Sequence, residues 1–232
     1  MNSLLLLLAF AGASLHRDTV QLLDGSSAGM WVPASKGKKP LVVWLHGGIG
    51  ANNPAKGLAA ASNMAATWSD SGSFALIAPS AWPASPWWSE EAVDRVRKLV
   101  ETASHKPGVD GKRLILAGVS DGGSGALWLA VRLRAVWGAR LKGVAVWSTD
   151  PDVLEMQGMK WTPSSLRGLP LRWTAGGRDH LYPLDRIHQW WDEASREGVV
   201  LDRHEDPGAD HDLSFHQADL ALFPAWVRRT AR

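Results

Sequence analysis

Short runs of consecutive apolar residues recur along this chain, separated by stretches in which apolar positions return every three or four residues. The clearest is 41–45 (LVVWL), and strands are predicted there and at 74–79, 113–118, 141–147, 169–175 and, last, 199–204. A strand buried on both faces reads as such an unbroken run, whereas an amphipathic helix reads with the longer period. Helices are predicted over 54–69, which is Ala-rich, over about 90–104, after Ser120, over 185–196 and at the C-terminus. The second has a capping Ser89, acids at Glu90 and Glu91, and Val93, Val96, Leu99 and Val100 on one face. Residues 18–23 and 29–33, joined by Asp24-Gly25-Ser26-Ser27, predict an antiparallel edge hairpin. Strands alternating with helices predict an α/β fold, a mostly parallel sheet covered on both faces.

With 232 residues and no long linker, the chain predicts one domain after a leader. Residues 1–13 are read as that leader: an apolar run at 4–10 is followed by Ala11-Gly12-Ala13, the shape of an export signal and too short to span a bilayer. The expectation is an exported protein with its domain at 14–232 and no integral membrane segment. Cysteine is absent, which excludes disulfides, thiol catalysis and thiolate metal sites. A net charge of +2 without a basic stripe gives no footprint for nucleic acid. Trp, at 14 residues, is abundant; Trp44, Trp128 and Trp147 lie inside apolar runs and are assigned to the core.

The chemistry gathers where the runs end. The run at 113–118 breaks into Gly118-Val119-Ser120-Asp121-Gly122-Gly123-Ser124-Gly125, the signature of a strand turning sharply into a helix with Ser120 at the apex. Neither a phosphate loop nor a dinucleotide fingerprint fits these glycines. The 41–45 run exits into His46-Gly47-Gly48, where a backbone N–H can approach a ligand; Gly48 and Asp121 are the candidate oxyanion donors, and His46 is read as structural. Beyond 74–79 comes a loop with Trp82, Trp87 and Trp88 at the strand edge where open sheets bind ligands. These three rings are candidates for a substrate wall or, equally, for props beneath the loop. The 148–169 connection is too short for a large cap, which predicts an open site.

A serine nucleophile needs a base and an acid that orients it. Asp179 follows Gly176-Gly177 at one strand exit, with Asp150 as the alternative acid; His211 follows the last strand beside Gly208-Ala209. His180, His188, His204 and His216 are read as surface or packing residues, and a metal site at Asp206, Asp210, His211 and Asp212 is disfavoured because one loop carries all four without a helical pair. The order Ser, Asp, His follows.

The set His46-Gly47-Gly48, Gly118–Gly123, Gly177-Arg178-Asp179 and Gly208-Ala209-Asp210-His211 resembles the α/β-hydrolase superfamily, most nearly its small lidless serine esterases: the phospholipase/carboxylesterase, polyhydroxybutyrate-depolymerase-like and dienelactone-hydrolase-like groups. That resemblance implies an eight-stranded, mostly parallel sheet and a triad on Ser120, His211 and Asp179. The expected activity is hydrolysis of a small-molecule or polymeric carboxylic ester through an acyl-enzyme, with no metal or organic cofactor. A peptidase or thioesterase on the same triad, or a non-catalytic binding protein using the Trp-rich loop, are the alternatives.

Overall fold

A computed structural model describes residues 15–21, 27–34, 36–50, 52–68 and 71–232. The leader at 1–13 and the turn at 24–26 lie outside the described residues. Eight strands form one sheet: β1 (Leu15–Gln21), β2 (Ser27–Pro33), β3 (Lys39–Leu45), β4 (Ala75–Ala78), β5 (Val109–Val119), β6 (Leu141–Trp147), β7 (Pro170–Gly176) and β8 (Val200–Asp206). Their spatial order is β1-β2-β4-β3-β5-β6-β7-β8. The first two strands pair antiparallel with each other, and β2 pairs antiparallel with β4; the six from β4 to β8 run parallel.

Six α-helices accompany the sheet among the described residues: α1 (Lys56–Trp68), α2 (Glu90–Ser104), α3 (Asp121–Trp137), the short α4 (Asp152–Met156), α5 (Leu184–Arg196) and α6 (Gln217–Thr230). Strand residues alternate between two cores. Leu41, Val43 and Leu45 of β3 join the core under α2, α3 and α5, while Val42 and Trp44 join the one under α1 and α6. Both faces of β3 are therefore apolar, which is why it reads as an unbroken run. The Ser89 hydroxyl caps α2 by accepting the Ala92 N–H at 3.1 Å.

Two elements differ from the sequence pattern. β5 begins at Val109 rather than 113, because Val109 and Asp110 already pair with Lys39 and Pro40 before a bulge. Helix α6 contains Pro224 in its interior, where the ring removes the bond that residue 224 would make to Leu220 O. The Trp68 indole donates to that carbonyl instead, at 2.9 Å. The helix keeps its course because α1 satisfies the group that proline frees.

Much of the tryptophan is consumed here. Trp44, Trp68, Trp147, Phe74, Phe223 and Trp226 interlock beneath α1 and α6 with ring centroids 4.9–5.9 Å apart. Trp44, Trp128 and Trp147 are all buried, as their placement in apolar runs predicts.

Candidate active site

The carboxyl ends of β3, β5, β7 and β8 bring the predicted residues to one edge of the sheet. Ser120 sits between β5 and α3 at φ 54°, ψ −126°, in a region L residues rarely enter. The turn is held from outside: Ser120 N–H donates to Trp147 O at 3.0 Å, and Ser120 O accepts from Gly123 and Ser124 N–H at 2.8 and 3.1 Å. It also leaves no room for side chains. A Cβ on Gly122 would stand 2.0 Å from Leu45 O, and one on Gly118 2.3 Å from Gly122 O. These two glycines let the backbone fold back on itself and push the Ser120 hydroxyl out at the apex.

His211 Nε2 lies 2.9 Å from Ser120 Oγ, and its Nδ1 lies 2.9 Å from Asp179 Oδ2. Because an ionised carboxylate only accepts, the ring carries its proton on Nδ1 and offers Nε2 as acceptor to the serine hydroxyl. Asp179 Oδ1 accepts the N–H groups of Leu181 and Tyr182, both at 2.9 Å. Burial pushes the Asp179 carboxyl up. The hydrogen bond from His211, the Tyr182 and Leu181 N–H groups and attraction to His211 outweigh it and hold the acid below its ordinary value.

The exit loops of β7 and β8 are stitched together, which fixes acid against base. Gly177 N–H donates to Asp206 O at 2.8 Å and Arg178 N–H to Ala209 O at 2.9 Å. Gly176 and Gly177 are small for this reason: a Cβ on either would meet the backbone of 207–210 within 2.9 Å. Asp150, the alternative acid, makes no bond to His211. It is buried, accepts Asp152 N–H at 2.9 Å and Trp190 Nε1 at 3.1 Å, and burial raises its pKa.

The remaining histidines fall elsewhere. His188 faces Glu205, His204 faces Asp202, His180 is exposed, and His216 is buried with Nε2 3.0 Å from Ser148 Oγ. His46 is a structural residue, as expected. Its Nε2 accepts Ala81 N–H at 3.1 Å, and its Nδ1 meets Gly47 O at 2.9 Å, so the neutral ring ties the β3 exit to the β4 exit.

Asp121 follows Ser120 in the chain, and Gly48 follows Gly47, where an added Cβ would come 3.0 Å from Ser120 Cβ. Gly48 has φ 63° and its carbonyl accepts from Lys56 Nζ, while Ile49 N–H donates to Asp121 Oδ2 at 3.1 Å. The Asp121 carboxylate thus anchors the glycine loop to the start of α3. Among the described residues no protein acceptor takes the N–H of Gly48 or of Asp121.

The Trp-rich loop needs a correction. Trp87 is fully buried: its indole donates to His46 O at 3.0 Å and its ring fills the space against Gly125, so it props the loop and lines no wall. Trp82 and Trp88 are half-buried. The Arg95 guanidinium lies 4.5 Å from the Trp82 ring and donates to Ser85 Oγ and Ser80 O at 2.9 and 3.1 Å, holding the loop from α2.

Tyr182 escapes a search for nucleophile, base and acid, yet its ring meets the His211 ring edge-on at 4.9 Å and 78°. The signal was present: it is the single tyrosine of the chain, three residues beyond Asp179.

Neither a family model nor a curated protein matches this sequence. Solved structures do. A thermostable esterase from Pseudomonas putida superposes with a TM-score of 0.69 at 18% identity, covering 96% of this chain and 84% of its own. The esterase Est22 with p-nitrophenol gives 0.70 at 18%, over 94% and 81%. An esterase of Pyrobaculum calidifontis gives 0.69 at 16%, over 94% and 85%. The chain has the α/β-hydrolase fold. At these identities the likeness carries the architecture of α/β-hydrolases, and the chemistry rests on the residues of this chain.

Proposed function

We propose that this protein is a serine hydrolase of carboxylic esters, with Ser120 as nucleophile, His211 as general base and acid, and Asp179 as the group that orients His211. The observation that carries this reading is the continuous chain Ser120 Oγ, His211 Nε2, His211 Nδ1, Asp179 Oδ2, with both links at 2.9 Å. Ser120 Oγ attacks the ester carbonyl as its proton passes to His211 Nε2. The carbonyl π pair moves onto oxygen, where the N–H groups of Gly48 and Asp121 receive it, aided by the N-terminus of α3. Collapse expels the alcohol, protonated by His211, and leaves an acyl-Ser120. Water, deprotonated by the same imidazole, releases the acid. Every step uses groups of this chain.

The 148–169 connection holds only α4 and a 3-10 turn over Pro163–Leu166, so that segment supplies no large lid. The esterase neighbours support esters as the substrate class.

The test is hydrolysis of a p-nitrophenyl ester chain-length series, with fluorophosphonate labelling alongside. The wild-type protein is expected to label at Ser120 and turn over short acyl esters, and Ser120→Ala to lose several orders of magnitude of kcat. Equal turnover in folded Ser120→Ala overturns the assignment.

A further inference from the structure

We propose that Lys56 and Asp121 are positioning residues of the oxyanion site: they grip the two ends of the peptide between Gly48 and Ile49 and so hold the Gly48 N–H where the oxyanion forms. This rests on the serine-hydrolase reading above and deepens it.

A glycine has no side chain to hold its backbone, and Gly48 stands at φ 63°, a conformation it can leave at little cost. The direction of its N–H therefore depends on the two peptide planes that meet at its Cα. The first, between Gly47 and Gly48, is met at its oxygen by His46 Nδ1 at 2.9 Å. The second is held at both ends. Lys56 Nζ donates to Gly48 O, and Ile49 N–H donates to Asp121 Oδ2 at 3.1 Å. A cation on the oxygen and an anion on the N–H follow the peptide's own dipole, so each strengthens the hold of the other. Asp121 has a second part here. Its own N–H is the other oxyanion donor, so one residue ties the two donors together.

Both grips come from fixed points. Asp121 opens α3 and Lys56 opens α1. The start of α1 is locked in place: Gly57 N–H donates to Ser80 Oγ at 2.9 Å, and a Cβ on Gly57 would stand 2.1 Å from Pro79 O. Lys56 is nevertheless out of place for a helix. A cation in the first turn opposes the helix dipole, and α1 has no acid there to offset it. Such a departure from a local rule is expected where a side chain serves a site. Charge explains why the grip takes two residues. Asp121 alone would set a carboxylate beside the developing oxyanion, and the Lys56 ammonium on the same peptide offsets it.

Lys56→Met keeps the aliphatic stem and removes the ammonium. On a p-nitrophenyl ester it is expected to lower kcat about tenfold, with KM within about twofold and the urea midpoint unchanged. Inhibition by phenylboronic acid should weaken by the same factor, because the tetrahedral boronate on Ser120 puts an oxygen where the oxyanion forms. Lys56→Arg keeps a cation for Gly48 O and should recover most of both. Asp121→Ala keeps the backbone N–H and removes the other grip. It should show the same paired loss, and the double variant should lose less than the product of the two, since both act on one peptide. Wild-type kcat in Lys56→Met overturns the proposal, as does a loss in KM alone, a lowered midpoint that accounts for the loss, no recovery in Lys56→Arg, or a double variant that loses the full product. If Ser120→Ala is inactive and Lys56→Met is not impaired, only this inference fails. If wild-type protein neither turns over esters nor labels with a fluorophosphonate at Ser120, the serine-hydrolase reading fails and this inference falls with it.

Discussion

Asp179 grips His211 with one carboxylate oxygen and its own loop with the other. Oδ2 meets His211 Nδ1 at 2.9 Å, while Oδ1 is occupied by the N–H groups of residues 181 and 182. An Asn at 179 keeps the shape but turns a donor NH₂ or a weaker acceptor toward Nδ1, favouring the tautomer with its proton on Nε2, where it faces Ser120. Asp179→Asn is expected to lower kcat on the order of 10³–10⁴-fold with little change in the urea midpoint. Asp150→Asn, at a carboxyl that makes no bond to His211, is expected to stay within about tenfold of wild type. Steady-state kinetics on a p-nitrophenyl ester separates the two acids.

The positions of Ser120, Asp179 and His211 were legible because each follows a predicted strand that the parallel sheet forces to end on the same edge, although the last, β8, is a half-exposed edge strand with no apolar run. The close contacts of Gly118 and Gly122 were legible as well, since a sharp turn has few other solutions. What stayed hidden depends on where a ring points after the chain has turned. Trp87 and Trp88 are neighbours in one loop, yet only Trp87 inserts beneath it to meet His46 and Gly125. Periodicity cannot separate them, because a loop has none. Likewise Pro224 reads as a helix breaker, and its tolerance depends on Trp68, which lies 156 positions earlier in the sequence. Such long-range satisfaction has no local signal.

Gly122 and Gly50 make a controlled pair. A Cβ at 122 would stand 2.0 Å from the Leu45 carbonyl, whereas nothing lies within 4 Å of one at 50. The backbone of β3 cannot yield without breaking its ladder to β5. Gly122→Ala is therefore expected to destabilise by several kcal/mol, as overpacking against backbone does, and to abolish fluorophosphonate labelling of Ser120. Gly50→Ala should leave both within error. Urea unfolding followed by Trp fluorescence, with labelling at matched protein concentration, checks the contrast.

A buried ion pair ties α6 to the sheet. Asp219 Oδ1 accepts from Arg172 Nη2 at 2.5 Å, and its Oδ2 accepts from Trp147 Nε1 at 2.6 Å and Thr174 Oγ1 at 2.9 Å. Arg172 is 2% exposed and Asp219 7%. Removing the acid alone leaves the Trp147 and Thr174 donors without an acceptor and the guanidinium with Asp202 alone, which its Nη1 meets at 2.8 Å, so Asp219→Ala is expected to cost about 3 kcal/mol. The pair's net contribution is smaller than that loss. Arg172→Met with Asp219→Leu should recover most of the stability, because no fully buried charge is then left without its partner: Asp202, which also loses Arg172, is half-exposed and keeps His204. Urea midpoints of wild type, single and double variants decide it; a double variant as unstable as Asp219→Ala contradicts the argument.

His46 makes stability depend on pH. Burial drives its pKa from 6.5 to about 4, with Lys56 adding to the fall and Gly47 O and Asp121 opposing it. The folded state therefore holds the ring neutral where the unfolded chain protonates it. Between pH 6.5 and about 4 the unfolded state binds more protons, so stability rises with pH: it is fully present above 6.5 and drains away as the pH falls toward 4. The shift corresponds to about 3 kcal/mol at the acid end of that window. His216, buried against Ser148, is also lowered, chiefly by burial, and acts in the same direction. Gln at position 46 retains an acceptor for the Ala81 N–H and cannot titrate. His46→Gln is thus expected to lose less stability than wild type on going from pH 7 to pH 4.5, whatever its stability at pH 7. Urea unfolding at the two pH values measures this directly, and parallel loss in both proteins would show that His46 is not the group being protonated.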